Sequence, residues 1–214
     1  LAGVSLALLT GRGRPFRGRE RVGRSLGLAT RALIIAAIGL TLGLLDSGLA
    51  VILTYYGLLF LLALPFLGLG SRGLFLAAGL WALAAPVVSH VIRPAMPERG
   101  FDSPDWTQLA DPIQLLGELT FTGYYPVVPW LAYVLLGLGI GRLPLDRRSV
   151  QGALVLMGTG LALVVTAASR LLTASGDVRR TLGADLGVAP TDVLDGIAGG
   201  LFGVTPEGSW SWLL

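Results

Sequence analysis

At 214 residues, with 53% hydrophobic and only 14% charged side chains and a mean hydropathy of +0.73, the chain has too few polar groups to coat a soluble domain, where about 25% of residues are charged. The lack of cysteine excludes a disulfide framework and any thiolate metal site. A net charge of +3 and a pI near 9.8 would suit nucleic acid, but the excess arginine lies in loops between apolar runs and makes no folded basic face, which argues against that partner.

In chain order, the pattern predicts an all-α, polytopic transmembrane helix bundle. It has five full spans and a partial first span, cut at both ends and forming a single domain over residues 1–214. Residues 1–10 read as the last third of a span. A loop at 11–25 carries six arginines. Residues 26–45 are apolar over about 30 Å, the thickness of a bilayer core, and Asp46-Ser47-Gly48 turns the chain into a second span at 49–69. A short turn at 70–73 precedes a span at 74–92. A polar excursion at 93–122 follows, then spans at 123–141 and 150–169 joined by the turn 142–149. A second polar excursion covers 170–195, and residues 197–204 are too short to span.

Alternating these spans places the loops 11–25, 70–73 and 142–149 on one side. They hold Arg12, Arg14, Arg17, Arg19, Arg21, Arg24, Arg72, Arg142, Arg147 and Arg148, while the longer loops opposite hold only Arg93, Arg99, Arg170, Arg179 and Arg180. The positive-inside rule puts the first set in the cytoplasm of a bacterial cell. Within the first outer loop, Asp111-Pro112-Ile113-Gln114 reads as a capped helix start, with Gln114 reaching back. Ile113, Leu116 and Leu119 should then share one face that rests on the membrane surface or covers a cavity.

Few residues can carry chemistry. His90, the only histidine, is either a general base or acyl acceptor, or a polar marker of a helix end. Tyr55, Tyr56, Tyr124, Tyr125 and Trp130 can line an acceptor site open to the outside, or belong to the aromatic belt at a membrane interface. Pro65, Pro86, Pro126 and Pro129 free backbone carbonyls within spans, and Tyr125 to Trp130 reads as a kinked or partly unwound helix start. Gly39/Gly43, Gly137/Gly141 and Gly199/Gly203 permit close helix contact. The arginine loop holds either anionic lipid or the phosphates of a cytoplasmic cofactor. Arg31 lies inside its span, where an arginine snorkels or meets an anion. The spans contain no Asp or Glu at mid-membrane, which argues against ion coupling. No metal site is expected.

Several segments in order resemble the heparan-α-glucosaminide N-acetyltransferase-like family of transmembrane acyltransferases, as found in actinobacterial membrane proteins. They are Leu1-Ala2-Gly3-Val4-Ser5-Leu6-Ala7-Leu8, Arg31-Ala32-Leu33 with Gly39, Val51-Ile52-Leu53-Thr54-Tyr55-Tyr56-Gly57, and the run from Gly123 through Pro129-Trp130-Leu131 to Gly141-Arg142. The resemblance implies transfer of an acyl group, acetyl in the named family, from cytoplasmic acyl-CoA to an extracytoplasmic acceptor such as a glycan. Arg12, Arg31 and Arg142 would hold the CoA phosphates, and the tyrosines with Trp130 would shape the acceptor cavity. The family's catalytic histidine would lie upstream of Leu1, a position His90 does not match. Thr54-Tyr55-Tyr56 stands where sugar-acetylating members carry Gln-Arg. The other reading is a non-enzymatic transporter or a scaffold subunit of a larger membrane complex. Membrane lipid is a partner in either case, and homo-oligomerisation is left open.

Overall fold

The computed structural model describes residues 1–11, 18–45, 50–96 and 103–173. Among these the chain is all-helical, without strands. It divides into two compact units, Leu1–Leu145 and Asp146–Leu214. The first contains α1 (Ala2–Leu9), α2 (Gly18–Gly43), α3 (Leu53–Ala63), α4 (Ser71–Ile92), α5 (Pro112–Gly117) and α6 (Val127–Gly141). The second is described through α7 (Arg148–Thr173), whose side chains Val155, Leu156, Met157, Leu161, Leu163, Val164 and Val165 are all exposed. Among the described residues three helices, α2, α4 and α7, are long and apolar enough to cross a membrane, or four if the bent pair Pro112–Thr122 and Val127–Gly141 is one span.

The element boundaries depart from the hydropathy pattern for definite local reasons. α2 begins at Gly18, eight residues before the apolar run, so Arg19, Arg21 and Arg24 belong to a helix and not to a loop. Arginine is a good helix former, and Glu20 in the first turn suits the positive end of the helix dipole. Gly18 has φ +57°, a left-handed conformation that glycine adopts without strain. Residues 12–17 and the turn at 46–48 lie outside the described residues, as do residues 174–214.

The second expected span is broken. Pro65 has no N–H to donate, and its ring would collide with the carbonyl four residues back. The chain therefore tightens after Ala63 into a 3-10 turn, Leu64–Gly68. Eleven α-helical and five 3-10 residues rise roughly 26 Å together, short of a bilayer core of about 30 Å. The turn expected at 70–73 shrinks to Leu69 and Gly70, because Ser71 already starts α4. Pro86 sits inside α4 without ending it.

The span expected at 123–141 also divides. α6 starts only at Val127 and is 15 residues long, about 22 Å at 1.5 Å per residue. Ahead of it, α5 and the π-helical turn Glu118–Thr122 lie at 54° to α6. The break expected near Tyr125–Trp130 thus falls before the helix, while Pro129 is accepted in its first turn, where an N–H has no helical acceptor.

α6 is the centre of the first unit, with α1, α3 and α4 packed against it and α2 against α3. Its Val127, Leu131, Leu135 and Leu138 meet Leu74 and Ala78 of α4, Leu6 and Ala7 of α1, and Leu59 and Ala63 of α3 in one buried core. Small residues set the spacing. A Cβ at Gly3 would fall on the backbone of α6 at Val134 and Leu138, and one at Gly141 would meet Ala7 and Val4. Likewise Gly39 abuts the backbone of Thr54, and Gly57 abuts Ala32 and Ala36. These contacts run α1 and α3 parallel to α6, and α2 antiparallel to α3. Gly43 instead lies under Pro104, tying α2 to the polar segment. Gly199 and Gly203 lie outside the described residues.

Candidate functional site

Two polar clusters form at opposite ends of α6. The first gathers around Arg142, which caps the C-terminus of α6 and is buried to 4% exposure. Its Nη2 donates to the carbonyl of Leu67 at 2.5 Å and stands 3.5 Å from Oγ1 of Thr10. Thr10 is the C-cap of α1, and its hydroxyl donates to Leu6 O at 2.7 Å. Leu67 lies in the last turn of the broken second span. Three parallel helical segments therefore end together, and a helix C-terminus carries unpaired carbonyls and about half a negative charge. One guanidinium placed among them offers donors to those carbonyls and offsets their charge.

The second cluster is neutral at its centre. Tyr55, one turn into α3, is 2% exposed. Its hydroxyl accepts from the backbone N–H of Tyr124 at 3.3 Å. Gly123 makes this approach possible, because a Cβ there would collide with the Tyr55 hydroxyl and with the carbonyl of Glu118. The Tyr55 ring meets Tyr125 edge-on with centroids 5.7 Å apart, Tyr125 meets Trp130 at 5.4 Å, and Trp130 meets Tyr133 at 6.3 Å. Edge-to-face pairs of this kind add about 0.5–1.5 kcal/mol beyond area burial.

The turn beside these rings is braced on three sides. Arg93, just after α4, donates through Nε and Nη2 to the carbonyl of Phe121 at 2.9 and 2.7 Å. Gly123 N donates to Glu118 O at 2.7 Å. Gln108 Nε2 donates to Glu118 Oε2 at 3.2 Å, and the Glu118 side chain is 3% exposed. Nearby, Trp81 Nε1 donates to Val128 O at 2.6 Å, fixing α4 to the start of α6.

The preceding segment is capped much as its residue order predicts, with two differences. Asp111 Oδ1 accepts from Gln114 N at 3.1 Å, and Pro112 stands at the helix start. The N–H of Asp111, however, donates to Gln108 O, where a capping box would place the Gln114 side chain. The expected apolar face also divides. Leu119 is buried with Leu115, while Ile113 is 76% and Leu116 54% exposed. The switch from α to π winding at Glu118 changes the angular step, so Leu119 does not follow the α-helical register of Ile113 and Leu116. Outside the helices, the Thr107 hydroxyl, followed by the backbone N–H groups of Thr107 and Gln108, holds the Asp105 carboxyl below its ordinary range, against the opposing effect of burial.

Of the residues singled out from the sequence, Tyr55, Tyr124, Tyr125 and Trp130 are brought together. Tyr56 stacks instead on Phe60, with centroids 5.8 Å apart. Arg31 is exposed on α2 beside the fully buried Ala32. Arg142 points inward, and Arg12 lies outside the described residues. His90 is exposed in the last turn of α4. Among the described residues no group of three or more His, Asp or Glu gathers that could hold a metal. Sequence reasoning passed over Thr10, Arg93, Gln108 and Glu118. The available signal was weak: Glu118 is one of several acids in this polar stretch and looks like its neighbours until the chain is folded.

Residues 1–173 match the family model described as heparan-alpha-glucosaminide N-acetyltransferase, catalytic. No curated protein and no solved structure matches the chain.

Proposed function

Because the chain belongs to the heparan-alpha-glucosaminide N-acetyltransferase catalytic family, a family of membrane acetyltransferases, we propose that it acts as a multi-pass acyltransferase of the bacterial cytoplasmic membrane. In this reading it moves an acetyl group from cytoplasmic acetyl-CoA to an extracytoplasmic acceptor. The family match across residues 1–173 is the observation that carries it.

The two clusters divide the work. In this reading the Arg142 end faces the cytoplasm, which the arginine distribution supports, and receives the donor. Exposed Arg31, with Arg12, binds CoA phosphates, for which a planar guanidinium is well suited. Arg142 contributes from below by holding three helix ends in register and offsetting negative charge that would repel the phosphates. The Tyr55 end receives the acceptor: stacked rings offer a face to an apolar or sugar surface, and hydroxyls give orientation. The transfer chemistry itself is assigned to none of the residues 1–214.

The test is direct. Full-length protein in nanodiscs should bind radiolabelled acetyl-CoA and hydrolyse it slowly without added acceptor. Absence of binding at saturating donor would overturn the reading in favour of a transporter or scaffold. Arg31→Gln should weaken donor binding by about tenfold, the scale of losing one charge-assisted contact.

A further inference from the structure

α2 carries a stripe of exposed residues spaced three and four apart: Arg24, Gly27, Arg31, Ile34 and Ile38. Residues at such spacings share one helix face. The adjoining face is already occupied, since Leu28 and Ala32 are buried and Gly57 of α3 abuts Ala32 and Ala36. Polarity changes once along the stripe. Two arginines frame Gly27, and Ile34 and Ile38 follow. Glu20 lies a turn further out, ahead of the apolar run.

Arg31 is the anomaly of this face. The apolar run begins at Leu26, which puts the Arg31 Cα about 7.5 Å inside it at 1.5 Å per residue. A charged side chain within a span snorkels to the surface or meets an anion. Helix side chains lean toward the N-terminus, which carries the Arg31 guanidinium back toward Gly27 and the headgroups. Outside the helix itself, a Cβ at Gly27 would have no neighbour within 4 Å, so the backbone there is bare and open. Arg24 has an interaction of its own and contributes as a second positive charge beside the gap. The exposed stripe of α4, made of Leu76, Leu80, Leu83 and Val87, contains no cation, and Arg72 stands in the first turn of that helix.

We propose that the α2 stripe binds one anionic phospholipid from the leaflet at the N-terminal end of the helix. Its phosphate enters the Gly27 gap against the Arg31 guanidinium, whose planar fork matches phosphate oxygens, and Arg24 adds charge. An acyl chain then runs along Ile34 and Ile38. The site goes beyond the acyltransferase reading and does not depend on it. Because that reading also gives Arg31 to the donor phosphates, the lipid is measured without acetyl-CoA.

Delipidated full-length protein in detergent is titrated with phosphatidylglycerol or phosphatidylcholine, and native mass spectrometry reads the Kd of the first lipid adduct. Wild type should favour phosphatidylglycerol by about fivefold or more, the scale of one arginine near an anionic headgroup. Arg31→Gln should remove most of that preference. Gly27→Leu keeps every charge but fills the gap, and should do the same; its side chain enters open space, so the fold is preserved. Arg72→Gln removes an equal charge from an exposed position of α4 and should keep the preference within about twofold of wild type. Equal affinity of wild type for both lipids overturns the inference and leaves Arg31 to soluble phosphates alone. A preference that survives Gly27→Leu, or falls as far in Arg72→Gln as in Arg31→Gln, also overturns it, because either marks a diffuse positive field without a located site.

Discussion

The two ends of α6 solve the same problem with opposite chemistry. At the Arg142 end, helical segments finish side by side and their carbonyls are left with one buried cation between them. At the Tyr55 end the partners are several: a phenol hydroxyl on the Tyr124 N–H, a second, partly exposed arginine on the Phe121 carbonyl, and the Gln108 amide on the Glu118 carboxylate. A single concentrated charge makes the first end dependent on one residue. A distributed network makes the second tolerant of any one loss.

Several substitutions would sharpen or break that contrast. The largest effect is expected where helix contact is closest. Gly3→Val drives a side chain into the α6 backbone and should cost about 3 kcal/mol or more, beyond the usual range for overpacking because backbone cannot yield. Denaturation in mixed micelles would measure it, and near-wild-type stability would mean that α1 does not seat on α6.

Arg142→Met keeps the length but removes the donors to Leu67. An expected loss of about 1–3 kcal/mol follows from stranding a buried carbonyl, with Arg142→Lys recovering part of it. If Arg142→Met is as stable as wild type, the cation does not organise that end. Tyr55→Phe, at the distributed end, removes one hydroxyl yet leaves the ring against Tyr125, so about 1 kcal/mol is expected. A larger loss than for Arg142→Met would reverse the comparison. Asp111→Ala, which strips the cap from α5, should also cost about 1 kcal/mol, read as faster hydrogen exchange at Gln114.

The smallest effect is one of pH. Asp105 has a folded pKa below its ordinary 3.8, chiefly through the Thr107 hydroxyl. A depressed carboxyl pKa means stability that is present above the ordinary value and is lost as pH falls through the folded one. The stability difference between wild type and Asp105→Asn should therefore be constant near neutrality and shrink only below about pH 4. A difference that persists at lower pH would show that the charge is not what matters.

Composition and periodicity were sufficient for the helical, membrane-embedded character, because covering an apolar chain of this kind with water is too unfavourable for any other arrangement. Local stereochemistry was readable too. Asp111-Pro112 announced a helix start, and Gly3, Gly39 and Gly141 mark contacts where a Cβ has no room, two of them within the recognised glycine spacings. Arg142 shows the limit of such reading. In the sequence it is one more arginine after an apolar run, equally suited to a phosphate or to water. Its burial follows from Pro65 shortening a neighbouring span so that Leu67 stops level with the end of α6, a coincidence of heights that belongs to no single segment. Glu118 was hidden for a similar reason. Its burial depends on a change of helical winding within one turn and on Gln108 folding back over it, and hydrogen bonds between residues ten apart leave no period to detect.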